Sequence, residues 1–198
     1  MHSTVDLPSI DPLVIFHAIS GARPPYCWDV LEDPEHALAA DPSLALIGYT
    51  PSSLRRRPAA RVNASKHALP LRTLTLVLSC RAPVHIIVLP TNPSKGASVA
   101  DVLHALHRHL LEPVSAYLLE ALGEECRVML KLNARAREES GWTHPRLRGR
   151  AEPGKVRNVD FLGKHRLFLG IRPATRHEVP ERARFGEVFV VELDLVDG

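Results

Sequence analysis

A block with helical periodicity, interrupted by one proline, lies in the middle of the chain and most constrains its fold. Ser98 can cap the start of the block, and Asp101 follows three residues later, where its carboxylate can reach back to the cap. On a helix, one apolar stripe would contain Val99, Val102, Leu103, Leu106 and Leu110. Pro113 ends this helix, and a second helix is predicted from Ser115 to Gly141.

Strand patterns flank the helical block on both sides. Strands are predicted at residues 45–49, 71–78, 84–89, 157–162, 166–171 and 188–195. The clearest alternation places Leu74, Leu76 and Leu78 on one face of a half-buried strand. The pair Gly163 and Lys164 predicts a hairpin turn between two of the later strands.

The order of strands, two helices and then strands predicts the domain organisation. We expect one α+β domain over residues 25–198, with the two main helices packed on one face of a mostly antiparallel sheet. Residues 1–24 form a Pro-broken N-terminal segment. A basic loop is predicted at residues 51–70 and a basic connector at residues 142–156, because both contain prolines and clustered arginines.

Composition excludes several classes of protein. The chain is 45% hydrophobic and 24% charged, and its mean hydropathy is −0.06, which excludes a collagen, a disordered tail and a coiled-coil rod. No apolar run is long enough for a membrane span, and no secretory signal is visible. The three cysteines are far apart and lack CxxC spacing, so we expect reduced thiols in an intracellular protein, cytoplasmic or nuclear, that is not secreted.

Charge is distributed unevenly along the chain. Residues 1–50 contain one basic and seven acidic side chains, whereas residues 51–100 contain eight basic and no acidic ones. This asymmetry fits an anionic partner or two segments that face each other in the fold. Candidate contacts to nucleic acid phosphates in the second segment are Arg55, Arg56, Arg57 and Arg61. No aromatic side chains interleave them, so a solvated loop is the alternative interpretation.

Three short motifs, taken in order, resemble an uncharacterised domain family abundant in mushroom-forming fungi. They are Trp28-Asp29, Ser98-Val99-Ala100-Asp101-Val102-Leu103 and Arg157-Asn158-Val159-Asp160-Phe161-Leu162-Gly163. The resemblance covers roughly residues 25–195. Members of the family often have a tryptophan in the last strand, where this chain has Phe189 or Val190. The resemblance implies the fold and a fungal source, and it implies no reaction.

The dipeptide Trp28-Asp29 is the most distinctive candidate for a ligand site. An aromatic wall and a carboxylate could line a pocket, with Asp29 or Asp160 as a weak candidate for a general acid or base. Arg157 and Asp160 could form part of the same polar pocket, although strand alternation would place them on opposite faces. The alternative is a core tryptophan beside an aspartate that caps a turn or pairs with an arginine.

Two further patterns carry weaker predictions. His104 and His107 have the i, i+3 spacing of metal ligands, but no carboxylate supports them, and a solvated helix face is the alternative. The segment Thr91–Ser98 leads into a helix start, where Lys95 could help to bind an anion. The segment lacks the glycine and Gly-Lys-Ser/Thr ending of a phosphate-binding Walker loop, so a plain connecting loop is the alternative there.

No recognised catalytic signature is present, so the sequence favours a non-catalytic intracellular binding or interaction module. Its partner would be a protein or a small ligand, bound through the sheet face or a cleft near Trp28, and no cofactor is required. One alternative is an enzyme with an acid or base near Trp28 and Asp29. The other is a basic nucleic-acid-binding protein. The sequence indicates no membrane partner.

Overall fold

The computed structural model describes residues 7–16, 25–64, 67–78, 85–140, 154–181 and 183–196. The strands of this part are β1 (Ser9–Ile10), β2 (Trp28–Asp29), β3 (Ala60–Ala64), β4 (His67–Pro70), β5 (Leu74–Leu78), β6 (His85–Val88), β7 (His165–Pro173) and β8 (Val188–Leu195). The helices are α1 (Pro34–Ala40), α2 (Pro42–Leu46), α3 (Pro51–Leu54), α4 (Val99–Leu111), α5 (Ala116–Ala121) and α6 (Glu124–Glu139), with a 3-10 helix at Asn158–Phe161.

The strands form two sheets. The larger sheet has the order β2-β7-β8-β5-β6, and the smaller one has the order β1-β3-β4. Strands β5 and β8 run parallel, whereas the other neighbouring pairs are antiparallel. In β5, Leu74, Leu76 and Leu78 are buried and the residues between them are half-buried, as the alternation predicts. The predicted α+β class with a mostly antiparallel sheet is therefore confirmed.

Helix α4 packs into the main core because one of its faces is apolar. The predicted stripe is buried in the cluster that also contains Leu76 and Phe189 of the larger sheet. The predicted cap is present as well. The Asp101 amide donates to Ser98 Oγ over 3.2 Å, and Asp101 Oδ2 accepts from the Ser98 amide over 2.9 Å. These local interactions fix where the N-terminal end of α4 lies.

Helix α6 packs on the 3-10 helix and shares a smaller second core with it and the adjoining segments. The buried members of this core are Val114, Leu130, Ala134 and Val156. The helix predicted from Ser115 is divided in two, because Leu122 adopts an extended conformation between α5 and α6. Gly123 then serves as the N-cap residue of α6.

Two predictions for residues 45–70 were wrong. No strand forms at residues 45–49: α2 extends to Leu46 and a turn follows it. Asp41 caps this helix and Pro42 occupies its first position, where a missing amide donor costs nothing. The loop predicted at residues 51–70 contains α3 and the antiparallel pair β3 and β4. Its prolines mark the ends of these elements, and Ala59 and Ala60 are buried.

The strand predicted at residues 157–162 was also wrong, and with it the hairpin at Gly163 and Lys164. The Asp160 carboxylate accepts a 2.7 Å hydrogen bond from the Arg157 amide, which favours a tight turn over an extended strand. Strand β7 instead pairs antiparallel with β2 on one side and with β8 on the other.

Most of the predicted connector at residues 142–156 lies outside the described residues, and so does Cys80. Of the helices that are described, none is both long enough and apolar enough to cross a membrane.

Candidate anion-binding site

A cavity of about 400 Å³ lies where the chain after α3 meets the N-terminal end of α4. We refer to it as the α4 cavity. Three segments contribute its polar lining: Arg55 and Arg56 after α3, Thr91 and Lys95 before α4, and Asp101 and His104 on α4. The lining is therefore rich in groups that donate hydrogen bonds to anions.

The arginine segment is held in place from both ends. Thr50 and Ser53 form a capping box around α3, and Leu54 is buried at its end. The Arg57 guanidinium is tied to the Asp11 carboxylate by bonds of 2.9 and 3.3 Å and lies over the Tyr49 ring, 4.9 Å from its centroid. Because the residues on both sides of them are held in place, Arg55 and Arg56 have a defined position in the lining of the cavity.

Backbone hydrogen bonds join this segment to the start of α4. The Val99 amide donates to the Arg57 carbonyl over 2.9 Å, and the Ala59 amide donates to the Ala97 carbonyl over 2.9 Å. A short bridge between Pro58 and Ser98 lies between these two bonds. Segments about forty residues apart in the chain are thereby joined side by side, as strands pair in a sheet.

The loop that carries Lys95 is shaped by its neighbours. The Lys95 amide donates to the Asn92 carbonyl over 3.0 Å, and the Asn92 side chain accepts from the Ser94 amide over 3.1 Å. Gly96 has φ of +73°, and a Cβ at this position would lie 2.6 Å from the Leu71 carbonyl oxygen. Only glycine fits this approach without strain, so Gly96 fixes how the loop places Lys95 at the cavity.

Both oxygens of the Asp101 carboxylate accept hydrogen bonds from the protein. Its oxygens accept from the Thr91 amide at 3.1 Å, the Thr91 hydroxyl at 2.5 Å, the Ser98 amide at 2.9 Å and the Ser98 hydroxyl at 2.7 Å. Burial by itself raises the pKa of Asp101, but these hydrogen bonds outweigh burial and the pKa lies below its usual value. Asp101 thus holds the cavity wall together as a stable anion.

Glu35 of α1 links two other lining residues. Its Oε1 atom lies 2.6 Å from Arg55 Nη2 and 3.2 Å from His104 Nε2. Burial raises the pKa of Glu35, but the hydrogen bonds from Arg55 and His104 outweigh it, so the net shift is downward. Arg55 therefore already has an internal counter-ion at the cavity.

Arg56 and Lys95 are different, since both are exposed and neither has a carboxylate within ion-pair distance among the described residues. The macrodipole of α4 adds a partial positive charge at the same end of the helix. A guanidinium fork, an ammonium group and a helix N-terminus are the groups with which proteins bind phosphate and carboxylate. The arrangement can bind an anion without displacing an internal ion pair.

The structure places Trp28, the most distinctive residue of the sequence, in the main core. Its ring stacks on Tyr26 with 5.4 Å between centroids and meets Phe168 at 4.7 Å. The indole nitrogen donates to the Glu32 carbonyl over 3.1 Å, and only 3% of the residue is exposed. Trp28 does not line the α4 cavity.

Asp29 beside it holds local structure. Its Oδ1 atom accepts from the Leu31 amide over 3.0 Å, and its Oδ2 atom lies 3.2 Å from Arg166 Nη2. This corresponds to the alternative interpretation, an aspartate that caps a turn and pairs with an arginine. Asp29 does not line the α4 cavity either.

Arg157 and Asp160 lie together, contrary to the strand-based expectation, because the 3-10 helix brings residues three apart onto one side. Asp160 is 2% exposed and accepts from Arg137 at 2.8 and 3.2 Å. The Arg157 side chain donates to the Leu111 carbonyl. Burial, with a smaller contribution from the Arg137 charge, lowers the pKa of Arg157. The group is a buried polar network that joins α6 to the 3-10 helix.

The two histidines proposed as metal ligands have separate environments. His104 contacts Glu35 at the cavity, whereas His107 is buried and its Nδ1 atom lies 3.0 Å from the Val30 carbonyl. Among the described residues, no group of three or more His, Cys, Asp or Glu side chains is placed to hold a metal ion.

The sequence predicted anion contacts in both of the segments that meet at the α4 cavity, but as two unrelated sites. The arginine run and the Thr91–Ser98 loop were separate candidates for anion contacts. Only the backbone pairing at Pro58 and Ser98 brings them to one cavity. The sequence signal that links the two segments is the excess of basic over acidic residues at positions 51–100, a range that includes both of them.

Residues 26–182, which include the whole lining of the α4 cavity, match a sequence family of unknown function. No curated protein and no solved structure matches the chain.

Proposed function

The chain belongs to DUF6699, a family of unknown function, and from its own geometry we propose that it is a non-catalytic binding module for a ligand with an anionic group. The ligand would present this group to the α4 cavity. One observation carries the proposal: Arg56 and Lys95, from two distant segments, converge on the cavity without an internal carboxylate partner among the described residues. Because their charges are not neutralised by the protein, an anion gains both interactions on binding.

The state of the other cavity groups supports binding over catalysis. Asp101 accepts four hydrogen bonds from the cavity wall, so its oxygens are engaged in positioning Thr91 and Ser98. His104 contacts Glu35, which also binds Arg55. A general base must be able to reach a substrate proton, and the carboxylates here are already bound to protein donors.

The two alternative functions find less support. Trp28 and Asp29, the proposed centre of an enzyme site, make the core and turn contacts described above. For nucleic acid binding, Arg57 is already paired with Asp11, and Arg55 with Glu35. A second basic run comprises Arg146, Arg148, Arg150, Lys155 and Arg157. Its first three arginines lie outside the described residues, and Arg157 is buried with its side chain bound to the Leu111 carbonyl.

We also propose an intracellular location and a source among mushroom-forming fungi. The absence of any CxxC spacing among the three cysteines supports the first proposal. The order of the three motifs that begin with Trp28, Ser98 and Arg157 supports the second.

The test is a titration of the ¹⁵N-labelled full chain with inorganic phosphate and with phosphoserine, followed by NMR. We expect amide shifts concentrated in Thr91–Ser98. In the double variant Arg56→Gln, Lys95→Gln, affinity should fall by at least about tenfold, since hydrogen bonds to charged groups contribute roughly 1.5–3 kcal/mol each.

The matched control is Arg108→Gln, Lys131→Gln, which removes the same charge from exposed positions outside the cavity. This variant should bind phosphate as the parent does. Equal weakening in both double variants, or shifts scattered away from α4, would show general electrostatic attraction and refute the proposal.

A further inference from the structure

A second cavity, of about 410 Å³, adjoins the α4 cavity. Arg56 and Pro58 line both cavities, so the Arg56 segment forms the wall between them. The remaining lining includes Ser9, Asp11 and Arg61. We refer to it as the Arg61 cavity. Two cavities that share one arginine can be occupied by a single elongated ligand.

The Arg61 cavity also keeps an unneutralised cation. Its acidic residue, Asp11, is bound to Arg57 at 2.9 and 3.3 Å. Arg61 is exposed on β3, and within the described chain no carboxylate lies within ion-pair distance of it. Each cavity therefore has its own available cation, Lys95 in one and Arg61 in the other, with Arg56 between them.

Backbone groups at the Arg61 cavity favour an extended partner. Strand β1 stands at the edge of the smaller sheet as described, and its residues Ser9 and Ile10 line the cavity. An edge strand presents amide and carbonyl groups that can pair with another extended chain.

The lining also favours a peptide over nucleic acid. Among the described residues, no Phe, Tyr or Trp side chain lines either cavity, although proteins that bind single-stranded nucleic acid stack its bases on such rings. Tyr49, the ring nearest to this segment, is already covered by Arg57. The described lining therefore offers cationic groups but no large aromatic ring on which a base could stack.

We propose that the ligand is an extended peptide with two anionic side chains, one bound in each cavity, with Arg56 contacting both. This inference rests on the proposed function of the α4 cavity and adds the class of ligand and the second contact. Side chains on one face of an extended peptide lie roughly 6–7 Å apart, so two acidic or phosphorylated residues a short distance apart in sequence would suit adjoining cavities.

The test uses synthetic peptides with two phosphoserines spaced two, three or four residues apart, and matched peptides with one. Affinities are measured by calorimetry for the parent chain, Arg61→Gln and the control Arg108→Gln. We expect the best doubly phosphorylated peptide to bind the parent and the control at least about tenfold more tightly than its singly phosphorylated match, because the second contact is intramolecular. Arg61→Gln should lose this gain and keep its affinity for the singly phosphorylated peptide.

The possible failures are distinguishable. If singly phosphorylated peptides bind but a second phosphoserine adds nothing at any spacing, the two-cavity inference is wrong and the proposed function stands. If neither peptide nor inorganic phosphate binds, the proposed function itself is wrong. If a single-stranded oligonucleotide of equal charge binds as tightly as the best peptide, the peptide assignment is overturned.

Discussion

The protein contains two arginine clusters that differ in what their guanidinium groups contact. Arg137 and Arg157 are 7% exposed and contact Asp160 and backbone carbonyls. Arg55 and Arg56 are exposed at the α4 cavity, and Arg56 has no carboxylate partner among the described residues. A buried charge requires internal partners because removing it from water is costly, whereas an exposed charge can remain hydrated until a ligand arrives. Residues that look distinctive in the sequence, such as Trp28 and Asp160, therefore stabilise the fold. The arginines that follow α3 line the candidate site.

The largest effect is expected from Asp160→Asn. The substitution leaves Arg137 buried without its carboxylate partner, and breaking such a pair costs about 3–5 kcal/mol of unfolding free energy. Chemical denaturation measures the loss. The matched control is Glu139→Gln, which breaks the exposed Arg135–Glu139 pair on α6, the helix that carries Arg137, and should leave the unfolding free energy almost unchanged. Equal losses in the two variants would contradict the distinction between the clusters.

A smaller effect is expected from Asp101→Asn at the cavity wall. Loss of a cap of this kind costs roughly 1 kcal/mol at neutral pH. Because the folded pKa of Asp101 is depressed, its stabilisation is complete above the unfolded pKa of about 3.9 and disappears as the pH falls through the folded value.

Denaturation at pH 7 and at successively lower pH checks this sign. The difference in stability between the parent and Asp101→Asn should shrink on acidification below about pH 4. Asp194→Asn, at an exposed position on β8, is the control and should differ little from the parent at any pH. A difference that grew on acidification would show that the carboxylate of Asp101 is not a stabilising anion.

The smallest effect on stability is expected from Arg56→Gln. Surface substitutions of this kind usually change the unfolding free energy by no more than about 0.5 kcal/mol. Chemical denaturation should give a change in unfolding free energy within this range, although Arg56 contributes to the proposed anion binding. Destabilisation comparable to that of Asp160→Asn would mean that Arg56 is part of the structure rather than available to a ligand.

The parts of the fold that the sequence predicted depend on local patterns. Helix α4 was predictable because Ser98, Asp101 and the apolar stripe act within a few turns of one another. Strand β5 was predictable from its alternation. The 3-10 helix was missed because the residue pattern at 157–162 was interpreted as a strand. In the structure, the hydrogen bond from the Arg157 amide to the Asp160 carboxylate favours a turn instead.

The roles of the candidate residues depended on longer-range contacts. The residues next to Asp160 in sequence do not predict its ion pair with Arg137, which lies 23 residues away. The residues near Arg56 likewise do not predict that it shares a cavity with Lys95. Whether a charged side chain is neutralised inside the protein depends on which segments meet.

The sequence by itself therefore determined the α+β class, the position of α4 and the excess of positive charge between residues 51 and 100. It could do so because caps, periodicity and net charge are properties of neighbouring residues. Only the tertiary structure decided that Trp28 is a core residue, that Asp160 neutralises the buried Arg137, and that Arg56 and Lys95 share a cavity. The physical reason is that burial and ion pairing are set by contacts between distant segments, such as the pairing of Pro58 with Ser98.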